Sequence, residues 1–153
     1  MVAEKEQHKQ LGTWKLMDLP PGRKAINSLW VFKWKQNNAG EIARHKAQLV
    51  ANGSYQIPGV DFLQTYAPTI QLETFHFIIA LAVCYKLQLH GMDVIAAYLN
   101  GKLDEEVYMK QPPRFDNGTG QVCKLVLFIY GLKQAGRNWN IKFDTAFKSL
   151  GFI

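Results

Sequence analysis

The chain has 153 residues, with 18 Lys and Arg against 12 Asp and Glu for a formal net charge of +6, and 48% of its residues are apolar. That balance fits one folded domain and excludes a disordered tail, a collagen-like chain or a disulfide-stapled miniprotein. The excess charge is concentrated: Gly22 to Gly53 carries six basic residues (Arg23, Lys24, Lys33, Lys35, Arg44 and Lys46) against the single acid Glu41, five of the six net charges. A concentrated basic segment points to a polyanionic partner or, on charge alone, to a solvated strand face.

The first twelve residues read as a charged N-terminal extension, and their polar start argues against a secretory leader. Trp14 to Leu19 alternates as a strand and runs into Pro20-Pro21-Gly22, a turn. From Ser28 to Lys35, Trp30, Phe32 and Trp34 share one face and Val31, Lys33 and Lys35 the other. Asn37 to Gly40 is turn chemistry, and Glu41 to Ala51 alternates again with Ile42, Arg44, Lys46 and Gln48 on one side. Together these runs predict a β-hairpin with a basic face.

Gln56 to Thr69, with Pro58, Gly59 and Pro68, reads as loop, and Glu73 to Leu87 as a largely buried helix. Leu89 to Val94 is expected to be a short apolar strand. Val107 to Lys110 and Val122 to Leu127 are further strands, Gly131 breaks the pattern, and Gln134 to Leu150 is an amphipathic helix. An α+β class with several hairpins follows. The apolar run Phe77 to Tyr85 is too short to span a bilayer, so no membrane partner is expected. Cys84 and Cys123, and the histidines His8, His45, His76 and His90, match no zinc spacing, so the cysteines are read as reduced in an intracellular protein.

Asp93 is a lone acid in the apolar run Leu89-His90-Gly91-Met92-Asp93-Val94. A carboxylate buried there needs a partner. It either caps the turn beginning at Val94 or serves as a ligand for Mg²⁺, a hard cation that prefers oxygen. One aspartate cannot build the two-ion clamp of in-line phosphoryl transfer, and the cluster Asp104-Glu105-Glu106 reads as a solvated turn.

The surroundings of Asp93 carry a resemblance. Thr13 to Pro20 (TWKLMDLP), Trp30 to Lys33 (WVFK), Arg44 to Gly53 (RHKAQLVANG), Gly59 to Phe62 (GVDF) and Thr65 to Pro68 (TYAP) stand in order. Met92 to Gly101 (MDVIAAYLNG), Glu105 to Pro112 (EEVYMKQP) and Tyr130 to Ala135 (YGLKQA) complete the series. In that order and spacing the chain resembles the reverse transcriptase domain of copia-type retrotransposons. The resemblance implies a partial right-hand polymerase over residues 13–153, fingers at about 13–88 and 113–135 and the first part of the palm at about 89–112 and 136–153. It implies that Asp93 is the first catalytic aspartate, with the carbonyl of Val94 as a further metal ligand, and that Mg²⁺ serves the complete enzyme. Tyr98 then stacks under the incoming sugar and screens out a 2′-hydroxyl. Arg44 and Lys46 hold triphosphate or template backbone, and Lys133 and Gln134 line the nucleotide and template pocket. The bland counterparts are a core aromatic for Tyr98, a solvated strand residue for Lys46 and a helix-start residue for Gln134.

Three positions depart from the family pattern: Gln48 and His76 where Arg is usual, and Ala135-Gly136-Arg137 where Ala-Pro-Arg is usual. A neutral amide at 48 cannot make the bidentate phosphate contact of a guanidinium. The Tyr-x-Asp-Asp hairpin of the family is expected downstream of Phe152, so the chain is read as stopping before the second carboxylate motif and as inactive in isolation. Its implied partners are an RNA or DNA template-primer, deoxynucleotides and the downstream polyprotein segments (rest of palm, thumb, RNase H), in a cytoplasmic particle or the nucleus. The alternative is a non-catalytic nucleic-acid-binding remnant of the same domain.

Overall fold

The computed structural model describes residues 1–152; Ile153, the last residue of the expected domain, lies outside the described residues. The elements run α1 (Val2–Gln10), β1 (Trp14–Met17), β2 (Ala25–Ile26), β3 (Ser28–Gln36), β4 (Ile42–Ala51), α2 (Leu72–Cys84), β5 (Tyr108–Lys110), β6 (Val122–Leu125) and α3 (Ala135–Ser149). Short 3₁₀ turns occupy Gly53–Tyr55 and Ala97–Asn100. The mixed α and β content agrees with the α+β expectation.

Four strands form one sheet in the order β1-β6-β5-β2, and β3 with β4 form a separate two-stranded ribbon. Within the sheet β1 and β5 run antiparallel to β6, while β2 runs parallel to β5. Register places Ile26 opposite Met109 and Met109 opposite Cys123. Because opposite residues share a face of the sheet, these three side chains project together and are fully buried. Burial pushes the Cys123 thiol up to about 12, with Asp116 adding to the effect. The neighbouring register row, Ala25, Tyr108 and Lys124, faces the other way. There Lys124 pairs with Glu106 at 2.5 Å, and the Lys124 hydrogen bond holds the Glu106 carboxyl below its ordinary range.

Leu49 and Ala51 of β4 enter the same core as Phe128, Ile129, Leu132 and Ala135. Two glycines permit this approach. A Cβ on Gly53 would lie 2.1 Å from the Gly131 carbonyl oxygen, and one on Gly131 would lie 2.1 Å from that of Ala51. Gly131 also has φ +90°, a left-handed conformation that strains any residue with a side chain. The Ala51 amide donates to the Tyr130 carbonyl at 2.8 Å across this crossing.

The N-terminal residues 1–12 pack against the rest of the chain. The α1 residue His8 is buried, its Nδ1 is 3.1 Å from the Thr13 hydroxyl, and its ring packs on Trp14 with centroids 5.2 Å apart. Glu4 accepts a hydrogen bond from the Leu49 amide at 3.4 Å, and the Lys5 ammonium sits 4.5 Å over the Phe115 ring. Burial lowers the His8 pKa to about 4.

Two expectations are corrected here. Leu89 to Val94 is not a strand: it pairs with no strand among the described residues, and Leu89 and Met92 are exposed. A strand's backbone groups need a neighbour to pair with, and without one they stay hydrated. The carboxylate of Asp93 is therefore exposed, not buried. The helix expected over Glu73 to Leu87 forms as α2 but is mostly uncovered, with Phe75, Phe77, Ile78 and Leu81 exposed and only Ala82 buried. Its apolar residues run all round the helix, so their spacing encodes no particular buried side.

Gly131→Ala should lower the melting temperature by about 10 °C or more, because steric overlap and φ strain add to about 3 kcal/mol. Gly22→Ala, where φ is +75° but nothing lies within 4 Å, should cost only about 2–4 °C, on about 1 kcal/mol of strain. Thermal melts followed by circular dichroism check both.

With a folded pKa near 4 against an ordinary 6.5, His8 binds its proton more readily in the unfolded chain. Its contribution to stability is complete above pH 6.5 and is lost as pH falls towards 4, by about 3 kcal/mol in all. Urea unfolding of His8→Gln should show a correspondingly flatter pH dependence between pH 6.5 and 4.

Candidate nucleotide and nucleic-acid site

The β3–β4 ribbon pairs Lys33 with Lys46 and Lys35 with Arg44 directly across the strands, with Val31 opposite Gln48. All four cations therefore lie on one face, and Trp30, Phe32, Trp34, His45 and Ala47 lie on the other. Like charges placed opposite each other disfavour the ribbon, and among the described residues none of the four makes an ion pair with an acid. The tip is closed by Asn37, whose side-chain oxygen accepts from the amides of Ala39 and Glu41 at 3.0 Å each. Gly40 completes the turn with φ +81°.

The far side of the site is the segment around Asp93. The turn Ala97–Asn100 is anchored by buried Leu99 and by the Asn100 carbonyl, which accepts from the Lys142 ammonium of α3. Ala96 enters that turn at φ 52°, a left-handed conformation that costs roughly 1–2 kcal/mol for a residue with a Cβ.

The ribbon and this segment face one open cavity of about 520 Å³. Lys35, Arg44, Lys46 and Gln48 line one wall, Glu4 and Gln7 of α1 another, and Asp93, Val94 and Tyr130 the third. The structure thus brings together Arg44, Lys46, Asp93 and Val94. Tyr98 does not line this cavity; its ring packs on Tyr130, centroids 4.7 Å apart and inclined at 59°. Tyr130 stands between Tyr98 and the cavity, and partial burial raises its hydroxyl pKa, with Tyr98, Glu4 and Asp93 adding to the effect.

Lys133 and Gln134 belong to a different group. Gln134 is fully buried; its amide nitrogen donates to the Asp61 carbonyl at 2.9 Å and its amide oxygen accepts from Gln56 at 3.0 Å. The Lys133 amide donates to the Gln56 side chain at 2.8 Å, and its ammonium lies 4.9 Å over the Phe62 ring. Asp61 accepts from the Ile57 amide at 2.8 Å and faces Arg23 at 3.9 Å. This network holds the 56–62 loop against the start of α3.

Sequence reasoning gave no site role to Lys33, Lys35, Glu4 or Tyr130. The alternation of the two lysines was visible in the sequence, but only strand register places them beside Arg44 and Lys46. Glu4 carried no local signal, and Tyr130 stood in the block Tyr130 to Ala135 without a role of its own.

Magnesium takes near-octahedral oxygen ligation. Among the described residues no group of three or more His, Cys, Asp or Glu side chains is gathered. Asp93 with the Val94 carbonyl does not by itself fit such an ion.

A family model described as reverse transcriptase (RNA-dependent DNA polymerase) matches residues 11–153. The chain belongs to the reverse transcriptase family. It is 39% identical over 155 residues to the retrovirus-related Pol polyprotein from transposon TNT 1-94 of Nicotiana tabacum, covering 100% of this chain and 12% of that protein. The retrovirus-related Pol polyprotein from transposon RE2 of Arabidopsis thaliana is also 39% identical, over 97% of this chain and 10% of its own length. The transposon Ty1-H Gag-Pol polyprotein of Saccharomyces cerevisiae is 32% identical over 76% of this chain and 6% of its own. No solved structure matches. The chain is thus a copia-type reverse transcriptase segment that spans about a tenth of the plant Pol polyproteins it resembles. Among the described residues no helix is long and apolar enough to cross a membrane.

Proposed function

We propose that the chain is the fingers and first part of the palm of an RNA-directed DNA polymerase, and that the cavity between the β3–β4 ribbon and Asp93 is its nucleotide side. The observation that carries this is the convergence of Lys35, Arg44 and Lys46, which make no ion pair with an acid among the described residues, on the cavity that Asp93 also lines. Such a wall suits a triphosphate or a template backbone. Asp93 and the Val94 carbonyl are then part of a metal-ligand set whose remaining carboxylates belong to other segments of the Pol polyprotein. Only such a completed set would hold Mg²⁺, which would supply charge neutralisation for nucleotidyl transfer. Tyr98 bears on the sugar through Tyr130, the ring it packs against at the cavity wall, while Lys133 and Gln134 set the position of the adjoining loop. The partners on this reading are template-primer, deoxynucleotides and the rest of the polyprotein.

A second reading, a nucleic-acid-binding segment without chemistry, is favoured by one feature. The basic ribbon is complete within the described residues and the metal-ligand set is not. Primer extension separates the two. In a Pol protein carrying this segment with its neighbours, Asp93→Asn should abolish extension while leaving template affinity within about twofold, since each lost transition-state contact acts on rate and not on ground-state binding. In the same protein Tyr98→Ala should raise ribonucleotide incorporation and Tyr98→Phe should not. Extension insensitive to Asp93→Asn would reject the assignment.

Binding to single-stranded or hybrid nucleic acid should weaken steeply with salt. Arg44→Ala with Lys46→Ala should flatten the log–log salt slope by up to about two units, and adding Lys33→Ala and Lys35→Ala by up to about four, at about one unit per phosphate contact. Fluorescence anisotropy across a salt series reads this directly.

A further inference from the structure

We propose that Asn117, in the loop joining β5 to β6, is a self-modifying residue whose side-chain amide is converted to a carboxylate through a succinimide formed with the Gly118 backbone nitrogen. The reaction takes up water and releases ammonia. It rests on neither polymerase activity nor the Asp93 cavity, which no residue of this loop lines.

The electrophile is prepared by its hydrogen bonds. Asn117 Oδ1 accepts from Gln111 Nε2 at 2.7 Å, from the Thr119 hydroxyl at 2.6 Å and from the Thr119 amide at 3.1 Å. Three donors on one carbonyl oxygen polarise Cγ and stand ready for the negative charge that grows on that oxygen when a nucleophile adds. Gln111 is itself fixed, being buried, accepting from the Asn117 amide at 3.3 Å and donating to the Gln121 carbonyl at 3.0 Å. The bond from Oδ1 to the amide two residues on is an Asx turn, which folds the side chain back over the Gly118 peptide.

The nucleophile has a base beside it. The Gly118 N–H donates to the Asp116 carboxylate at 2.9 Å, the placement a general base requires. Glycine carries no side chain to hinder the approach of its own nitrogen, and both Asn117 and Gly118 are exposed to water. The chain has two other Asn-Gly pairs, and neither is built this way. Asn52 Oδ1 accepts only from the Ser54 amide, and Gly53 is buried against the Gly131 carbonyl. Asn100 donates its amide to the Ile95 and Ala96 carbonyls, and the Gly101 N–H is bonded to the Tyr98 carbonyl, which cannot take a proton.

In the first step Asp116 takes the Gly118 amide proton and the nitrogen's electron pair attacks Asn117 Cγ, forming the N–Cγ bond. Oδ1 carries the charge among its three donors. Collapse breaks the Cγ–Nδ2 bond, and Nδ2 leaves as ammonia with the proton that Asp116 held. Water then opens the ring. Cleavage of the new bond gives aspartate, and cleavage of the original peptide bond gives isoaspartate, with the chain continuing through the side chain. Either product lowers the net charge by one, and no electrons are gained or lost.

The test incubates the purified 153-residue chain at neutral pH in heavy-oxygen water and follows each Asn-Gly pair by mass spectrometry of tryptic peptides. Cleavage after Arg114 and Lys124 isolates Asn117 from Asn52 and Asn100. In the folded chain Asn117 should gain the acid with heavy oxygen at least about tenfold faster than either other site, the lower side of what a positioned base and oxyanion donors contribute. In urea the three rates should converge, Asn117 slowing and the others rising. Asp116→Ser keeps an oxygen to accept from the Gly118 amide but removes the base, and Thr119→Val removes the hydroxyl donor. Each should slow Asn117 by about tenfold or more while leaving Asn100 unchanged. An Asn117 rate no faster in the folded chain than in urea would overturn the proposal without recourse to any variant, as would a rate indifferent to both substitutions.

Discussion

The fold turns on a close crossing of two backbones. Where β4 ends and the chain returns through Tyr130 and Gly131, the main chains approach so nearly that a Cβ at Gly53 or Gly131 would come within 2.1 Å of a carbonyl oxygen. That contact fixes the ribbon against the four-stranded sheet and lets Leu49 and Ala51 join the core beside Ile129 and Leu132. It also places Tyr130, on one side of the crossing, at the wall of the Asp93 cavity. Glycine is needed because a close main-chain approach leaves no volume for any side chain.

The ribbon itself trades stability for charge. Pairing Lys33 with Lys46 and Lys35 with Arg44 stacks repulsion on repulsion, and nothing acidic among the described residues relieves it. A polyanion would relieve it, because counterions released from phosphates and the loss of cation–cation repulsion act in the same direction. On the reverse face Phe32 and Trp34 are exposed as well. Gln48, on the basic face where the family pattern has Arg, lines the Asp93 cavity with a neutral amide.

Apolar surface is unevenly covered. The sheet buries its core row completely, whereas α2 and the stretch from Tyr85 to Ile95 present Phe77, Tyr85, Leu89 and Met92 to solvent. Exposed apolar area of this extent is unusual for a self-sufficient monomer. It agrees with a segment that spans about a tenth of the polyproteins it resembles.

The hairpin, its turn, the strands β1, β5 and β6, and the helix α3 were legible in the sequence because each depends on local alternation, turn residues or helical spacing, which neighbouring residues impose on one another. The family was legible as well, from eight short blocks in order. The sequence alone could not decide burial: α2 and the Asp93 run have core-like composition, yet burial requires a covering element that no local pattern specifies. Nor could it show that Gln134 is sealed in a network with Gln56 and Asp61, or that His8 of the N-terminal extension is packed inside. Local chemistry determined the elements and the charged face. Only the tertiary structure decided which distant residues meet, because strand register and the Gly53–Gly131 crossing bring Lys35, Glu4, Asp93 and Tyr130 around one cavity from separate parts of the chain.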